Sequence, residues 1–151
     1  MKFFKLFSFA LVLACSICAS AQDKGYWRAS SQTASRITGD LNIGDSKITM
    51  TFLSWPIAPI RALKPVEISA VFDADSNVAQ AGNLYRINIA ANQRFLHKNT
   101  LCGTEQTQWM ATYIEGRNLH VAFFSGVTPP VFTFEAIRNS PDLCGTFLYT
   151  R

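Results

Sequence analysis

Between Lys47 and Leu53 the chain alternates, with Ile48, Met50 and Phe52 on one side and Lys47, Thr49 and Thr51 on the other. Apolar residues at every second position line one face of a pleated strand, so this segment reads as a half-buried strand. The pattern recurs at Val66, Ile68, Ala70 and Phe72, at Tyr85, Ile87 and Ile89, and at Phe132, Phe134 and Ala136. Weaker versions occur at Trp109, Ala111 and Tyr113, in the nearly uniform apolar run Leu119 to Phe124, from Ile37 to Ile43 across Gly39, and at Phe147 and Tyr149. Turn-forming clusters separate them, including Asn42-Ile43-Gly44-Asp45, Ala81-Gly82-Asn83, Glu115-Gly116-Arg117-Asn118, Ser125-Gly126, Thr128-Pro129-Pro130 and Asn139-Ser140-Pro141-Asp142. No window sustains a helical period with caps, although Leu96 to Gln106 has room for a short helix. Eight short strands, spaced about ten residues apart, predict an all-β fold. The expected form is a small antiparallel β-barrel, or failing that a β-sandwich.

The N-terminus carries a different signal. Lys2 and Lys5 precede a charge-free run from Leu6 to Ile17, and Ala19-Ser20-Ala21 forms an A-x-A site before Gln22. This is the arrangement of an export signal peptide, so residues 1–21 are expected to be removed and residues 22–151 to form one domain. Val12-Leu13-Ala14-Cys15 gives the alternative, a lipoprotein box with acylation at Cys15, although Leu13 is bulky for such a box. The expected location is the periplasm or the medium, with an outer-membrane lipoprotein as the alternative. The whole chain has 14 Lys+Arg against 10 Asp+Glu, and loss of Lys2 and Lys5 leaves 12 against 10, a net charge of +2 with no basic run. Nucleic acid is therefore not an expected partner. A membrane is expected only if Cys15 is lipidated.

Removal of Cys15 and Cys18 leaves Cys102 and Cys144, an even number in an oxidising compartment, so a Cys102–Cys144 disulfide is expected. Both sit in the tetrapeptide Leu-Cys-Gly-Thr, at Leu101 to Thr104 and at Leu143 to Thr146. Metal binding at these cysteines would need two further ligands, and only His97 lies near in sequence.

Two connections are longer than hairpins. In Ser54-Trp55-Pro56-Ile57-Ala58-Pro59-Ile60-Arg61, the prolines stiffen a segment in which Trp55, Ile57 and Arg61 are candidate partner contacts. The preferred reading is that Trp55 instead folds down as a barrel plug, as large apolar side chains usually do. The segment from Asp73, Asp75 and Asn77 onward begins like a calcium loop, but Val78 replaces the glycine and Leu84 the terminal carboxylate, so a solvated turn is expected.

No catalytic residue, cofactor site or metal site emerges. His97 and His120 are the sole histidines; His120 falls in an apolar strand, where packing explains it, and His97 sits between Arg94 and Lys98 in an expected loop. The chain contains no G-x-S-x-G, H-E-x-x-H, P-loop or G-x-G-x-x-G.

Thr33-Ala34-Ser35-Arg36-Ile37-Thr38-Gly39-Asp40, Leu101-Cys102-Gly103 followed by Trp109, Phe124-Ser125-Gly126 with Pro129-Pro130, and Leu143-Cys144-Gly145-Thr146-Phe147-Leu148-Tyr149 form a set of segments across the chain. Together they resemble a group of small exported bacterial proteins with no assigned activity. The resemblance spans most of residues 22–151 and implies one domain without bringing in catalytic residues. In size, export and disulfide use the chain is also similar, at the level of class, to small-barrel periplasmic lysozyme inhibitors.

The expected function is thus a non-enzymatic binding module of the envelope or medium. It would take an envelope protein or a small apolar ligand through barrel loops or mouth. The alternative is a structural or interaction subunit, anchored through Cys15; an enzyme of unrecognised type is the third reading. The barrel interior separates the two kinds of partner, since a cavity lined by Phe and Tyr with one or two polar groups suits a small ligand, whereas a filled interior with Trp55 and its neighbours exposed suits a protein.

Overall fold

The computed structural model describes residues 22–77 and 80–151. The readings of the export signal, its cleavage after Ala21 and the lipidation of Cys15 lie outside the described residues, as does Val78. The elements run β1 (Gly25–Ala29), α1 (Gln32–Ile37), β2 (Leu41–Ile43), β3 (Lys47–Met50), β4 (Leu53–Ala62), α2 (Pro65–Phe72), β5 (Ala81–Ile89), β6 (Thr107–Glu115), β7 (Asn118–Phe124), α3 (Phe134–Arg138) and β8 (Leu143–Thr150). A short 3₁₀ turn covers Leu96–Lys98.

Each strand pairs antiparallel with the next, and β8 returns to β1 through Arg28↔Thr150 and Ala29↔Tyr149, closing an eight-stranded barrel. Closure gives every described strand a neighbour on both sides. The up-and-down course defines two ends. The rim carries α1, the β3–β4 turn, the β5–β6 loop and the β7–β8 loop with α3; the base carries the start of β1, the β2–β3 turn, α2, the β6–β7 turn and the C-terminus.

An eight-stranded barrel is just wide enough for side chains to fill, and this one is filled. Trp27, Ile48, Met50, Met110, Leu119 and Phe123 retain no exposed surface inside it. A second apolar layer lies outside, where Leu63, Ile68, Val71 and Phe132 pack on Leu84, Trp109, Ala111, Tyr113 and Phe124 of β5, β6 and β7. These strands are covered on both faces, which is why Leu119 to Phe124 reads as a continuous apolar run rather than an alternation.

Six of the strands fall where the alternation places them, and two do not. Residues 65–72 form helix α2, not a strand: Pro65 is preorganised for a first helical turn, and Glu67 accepts from the Lys64 backbone N–H at 2.8 Å. Ile68 and Val71 then share one buried face while Val66 is exposed, a spacing of three that the apparent period of two concealed. Residues 134–138 form α3, capped by the Thr133 hydroxyl accepting from Ala136 N at 3.2 Å. Phe132 is buried against Phe124 before this helix, and Phe134 is exposed on it. The missing strands are β1, which the alternation does not reveal, and β4, read as a connection because of Pro56 and Pro59. A bulge between Pro59 and Arg61 interrupts the β4–β5 ladder where a proline is tolerated.

At Gly82 on β5 the neighbouring strand and α2 leave no room for a side chain. A Cβ there would stand 2.6 Å from the Thr112 carbonyl oxygen and 2.9 Å from Ile68 Cδ1. Gly82→Ala is expected to lower stability by about 2 kcal/mol, since overpacking against backbone leaves little room to relax. A urea midpoint equal to wild type would show that α2 moves freely off the wall.

Candidate functional site

The rim is built from three segments whose backbones are held in demanding conformations. Helix α1 is fixed to β8 by Ser31, whose hydroxyl oxygen accepts from Ala34 N and from Leu148 N, each at 3.1 Å. Beneath it the buried Tyr149 hydroxyl meets Thr38 Oγ1 at 2.6 Å, and burial pushes the phenol upward. Gly39, in the left-handed region at φ 60°, ends the helix and turns the chain into β2. Asp40 follows. Its carboxylate accepts from Ala29 N at 2.8 Å and from the Tyr26 hydroxyl.

The Tyr26 hydroxyl, and after it the Ala29 amide, hold the Asp40 carboxyl below the usual carboxylate range. A depressed folded-state value contributes stability above the unfolded value and loses it as pH falls through the folded one. The contact is solvent-exposed, so a small loss of rim order is expected below about pH 4, readable as line broadening of the Asp40 and Ala29 amides.

The second wall is the β3–β4 turn. The two-residue hairpin loop between the paired Met50 and Leu53 is of the type that takes left-handed backbone at both central positions, which Asn-Gly supplies at least cost. Here they are Thr51 at φ 50° and Phe52 at φ 66°. Left-handed backbone costs roughly 1–2 kcal/mol at each such residue. The turn also overturns the expectation from alternation that Phe52 shares the buried face of Ile48 and Met50: its relative exposure is 103%. Replacing Thr51-Phe52 by Asn-Gly is expected to stabilise the barrel by about 1–2 kcal/mol, measured by urea unfolding. A destabilised double variant would mean that the turn carries no strain.

The third wall is the β5–β6 loop. His97 at φ 55° and Lys98 at φ 62° form another left-handed pair, closed by Asn99 N donating to the Leu96 carbonyl at 3.1 Å. Asn99 Nδ2 reaches the Arg36 carbonyl at 3.1 Å, joining this loop to α1. Phe95 is buried beside Trp55, with ring centroids 5.4 Å apart. Cys102 and Cys144 are bonded, stapling the same loop to the start of β8.

Between these walls lies a groove of about 300 Å³, lined by Tyr26, Thr38 to Asn42, Thr49 to Phe52 and Leu96. Leu41 and Met50 form a buried floor, whereas Tyr26, Phe52 and Leu96 stand exposed around it. A solvent-exposed aromatic on a strained turn beside a concave apolar surface is the arrangement expected of a recognition site.

The three residues singled out from sequence are not brought together as a surface. Trp55 packs on Phe95, Ile57 points into the barrel core, and Arg61 is held by both Glu67 oxygens at 2.7 and 2.8 Å. The exposed positions of β4 between them are Pro56, Ala58, Pro59 and Ile60. His120 lies on the outer wall, stacked on Tyr113 at 5.2 Å with Nε2 3.2 Å from Glu115 Oε2, and His97 lies in the rim turn. The two histidines thus belong to different ends. Asp73 ends α2 in left-handed backbone, and Asp75 accepts from Asn77 N at 2.9 Å as an ordinary turn would have it.

Sequence reasoning missed Tyr26, Asp40, Phe52 and Leu96. The available signal was negative: no glycine or asparagine stands at residues 51–52, where a tight hairpin would want one. No protein-family model, curated protein or solved structure matches the chain.

Proposed function

We propose that this protein is an exported, non-enzymatic binding module of the bacterial envelope or medium, and that it engages a protein partner through the barrel rim. The observation that carries the reading is Phe52, a fully exposed aromatic held on a left-handed turn beside an apolar groove. Leaving a large apolar side chain in water forgoes about 1.5–3 kcal/mol of burial, which a partner would recover. The filled interior argues for the protein partner over a small apolar ligand inside the barrel. Export is supported by the signal-like residues 1–21 and by the disulfide; among the described residues no helix is long and apolar enough to cross a membrane.

The test compares wild type with Phe52→Ser as baits against an envelope extract under crosslinking. A species captured by wild type and lost with Phe52→Ser, at unchanged thermal midpoint, is the expected result. Identical capture by both baits would remove the rim from the binding site.

A further inference from the structure

We propose that the occupant of the rim groove is an acidic protein segment, with an apolar side chain seated between Phe52 and Leu96 and carboxylates on either side of it. This rests on the reading of the rim as the binding face. It adds the chemistry of the partner.

The groove itself asks for an apolar anchor. At about 300 Å³ it has room for one large side chain, over a floor of Leu41 and Met50 that is already closed to water. It is a hollow whose Leu96 side belongs to the disulfide-bonded β5–β6 loop, so a projecting side chain suits it better than the flat face of a bilayer does. Its one lining carboxylate, Asp40, is already occupied by the Tyr26 hydroxyl and the Ala29 amide.

The surrounding charge asks for carboxylates. The segments that contribute the groove's lining residues, 26–42, 49–53 and 90–106, carry along the chain four cations, Arg28, Arg36, Arg94 and Lys98, against two carboxylates, Asp40 and Glu105. All four cations are exposed, and none forms an ion pair among the described residues. The Lys24–Asp45 and Arg61–Glu67 pairs, by contrast, lie toward the base. Arg28 acts on the Asp40 carboxylate through space. Arg36 is in the last turn of α1, tied by its carbonyl to Asn99, and Lys98 is two residues from Leu96. Free cations on separate segments around an apolar hollow give a partner both an anchor and a register, and they accelerate encounter with an oppositely charged segment.

The test is an amide-resolved NMR titration of the processed protein with three synthetic peptides that share a Leu-Phe-Leu centre, flanked on both sides by Glu, by Gln or by Lys. The Glu peptide is expected to shift amides of Thr38 to Asn42, Thr49 to Leu53 and Leu96 to Lys98, to bind about tenfold more tightly than the Gln peptide, and to lose that advantage in 1 M salt. The Lys peptide is expected not to bind. Phe52→Ser should weaken the Glu peptide at least tenfold. Arg36→Glu combined with Lys98→Glu should reverse the preference toward the Lys peptide, a gain that an unfolded variant cannot give. Equal binding of the Glu and Gln peptides at these residues overturns the acidic partner while leaving the rim as the binding face. Absence of rim shifts with every peptide and with phosphatidylglycerol vesicles overturns both. Rim shifts produced by phosphatidylglycerol vesicles and by no peptide overturn the protein segment in favour of a lipid surface.

Discussion

Reduction of the Cys102–Cys144 bond is expected to lower stability by about 4 kcal/mol, which for a domain of this size moves the thermal midpoint down by about 12 °C. The bond closes a span of 42 residues, and its effect lies chiefly in the unfolded chain, whose freedom it restricts. In the folded state it joins the β5–β6 loop to the start of β8, across the rim from the Thr51-Phe52 turn. Reduction should therefore also loosen the Leu96 wall of the groove. Calorimetry with and without reductant, and the Cys102→Ala, Cys144→Ala double variant, measure the first effect; hydrogen exchange at Leu96 to Asn99 measures the second. A midpoint unchanged by reduction would mean that the loop is held by Phe95 and Asn99 alone.

Loss of the Asp23 carboxylate has the next largest expected effect, about 3 kcal/mol or more for Asp23→Ala. Asp23 is 3% exposed at the base of the barrel and accepts from the Tyr85 hydroxyl at 2.9 Å, the Thr112 hydroxyl at 2.6 Å and Asn83 Nδ2 at 3.1 Å. Its backbone carbonyl accepts from Trp27 Nε1 at 2.8 Å. Burial, and then the neighbouring carboxylate, push the Tyr85 phenol above its ordinary range. Truncation at Asp23 leaves two buried hydroxyls and a half-buried amide without their acceptor, and each buried orphan costs about 1–3 kcal/mol. Asp23→Asn should cost less than Asp23→Ala, because the amide oxygen still accepts. Urea unfolding of the two variants gives the order; equal midpoints for Asp23→Ala and wild type would mean that water replaces the carboxylate without loss. The proximity of this anchor to Gln22 also means that a chain beginning at Gln22 keeps the whole network.

The barrel was legible in the sequence where one face of a strand meets the core and the other meets water. Tyr85, Ile87 and Ile89 alternate because β5 does so there, and Cys102 and Cys144 pair because no other cysteine follows residue 21. The same rule misled at residues 65–72 and 132–136. Over so short a span three or four apolar residues fit a period of two and a helical face alike, and Pro65, Glu67 and Thr133 were the deciding local signals. β4 was hidden for the opposite reason, since Pro56 and Pro59 look like breakers until a bulge and a partner strand absorb them.

The candidate site was hardly legible at all. Its residues come from β1, the α1–β2 junction, the β3–β4 turn and the β5–β6 loop, and no spacing along the chain brings Tyr26, Asp40, Phe52 and Leu96 together. The sequence by itself determined an all-β chain with a staple between Cys102 and Cys144, because period-2 patterning and cysteine parity are local or nearly local properties. Only the tertiary structure decided that Phe52 faces water rather than the core. The alternation of a strand holds while the backbone stays extended, and two consecutive left-handed residues, imposed by the tightness of the hairpin, end it one residue before the sequence gives any sign.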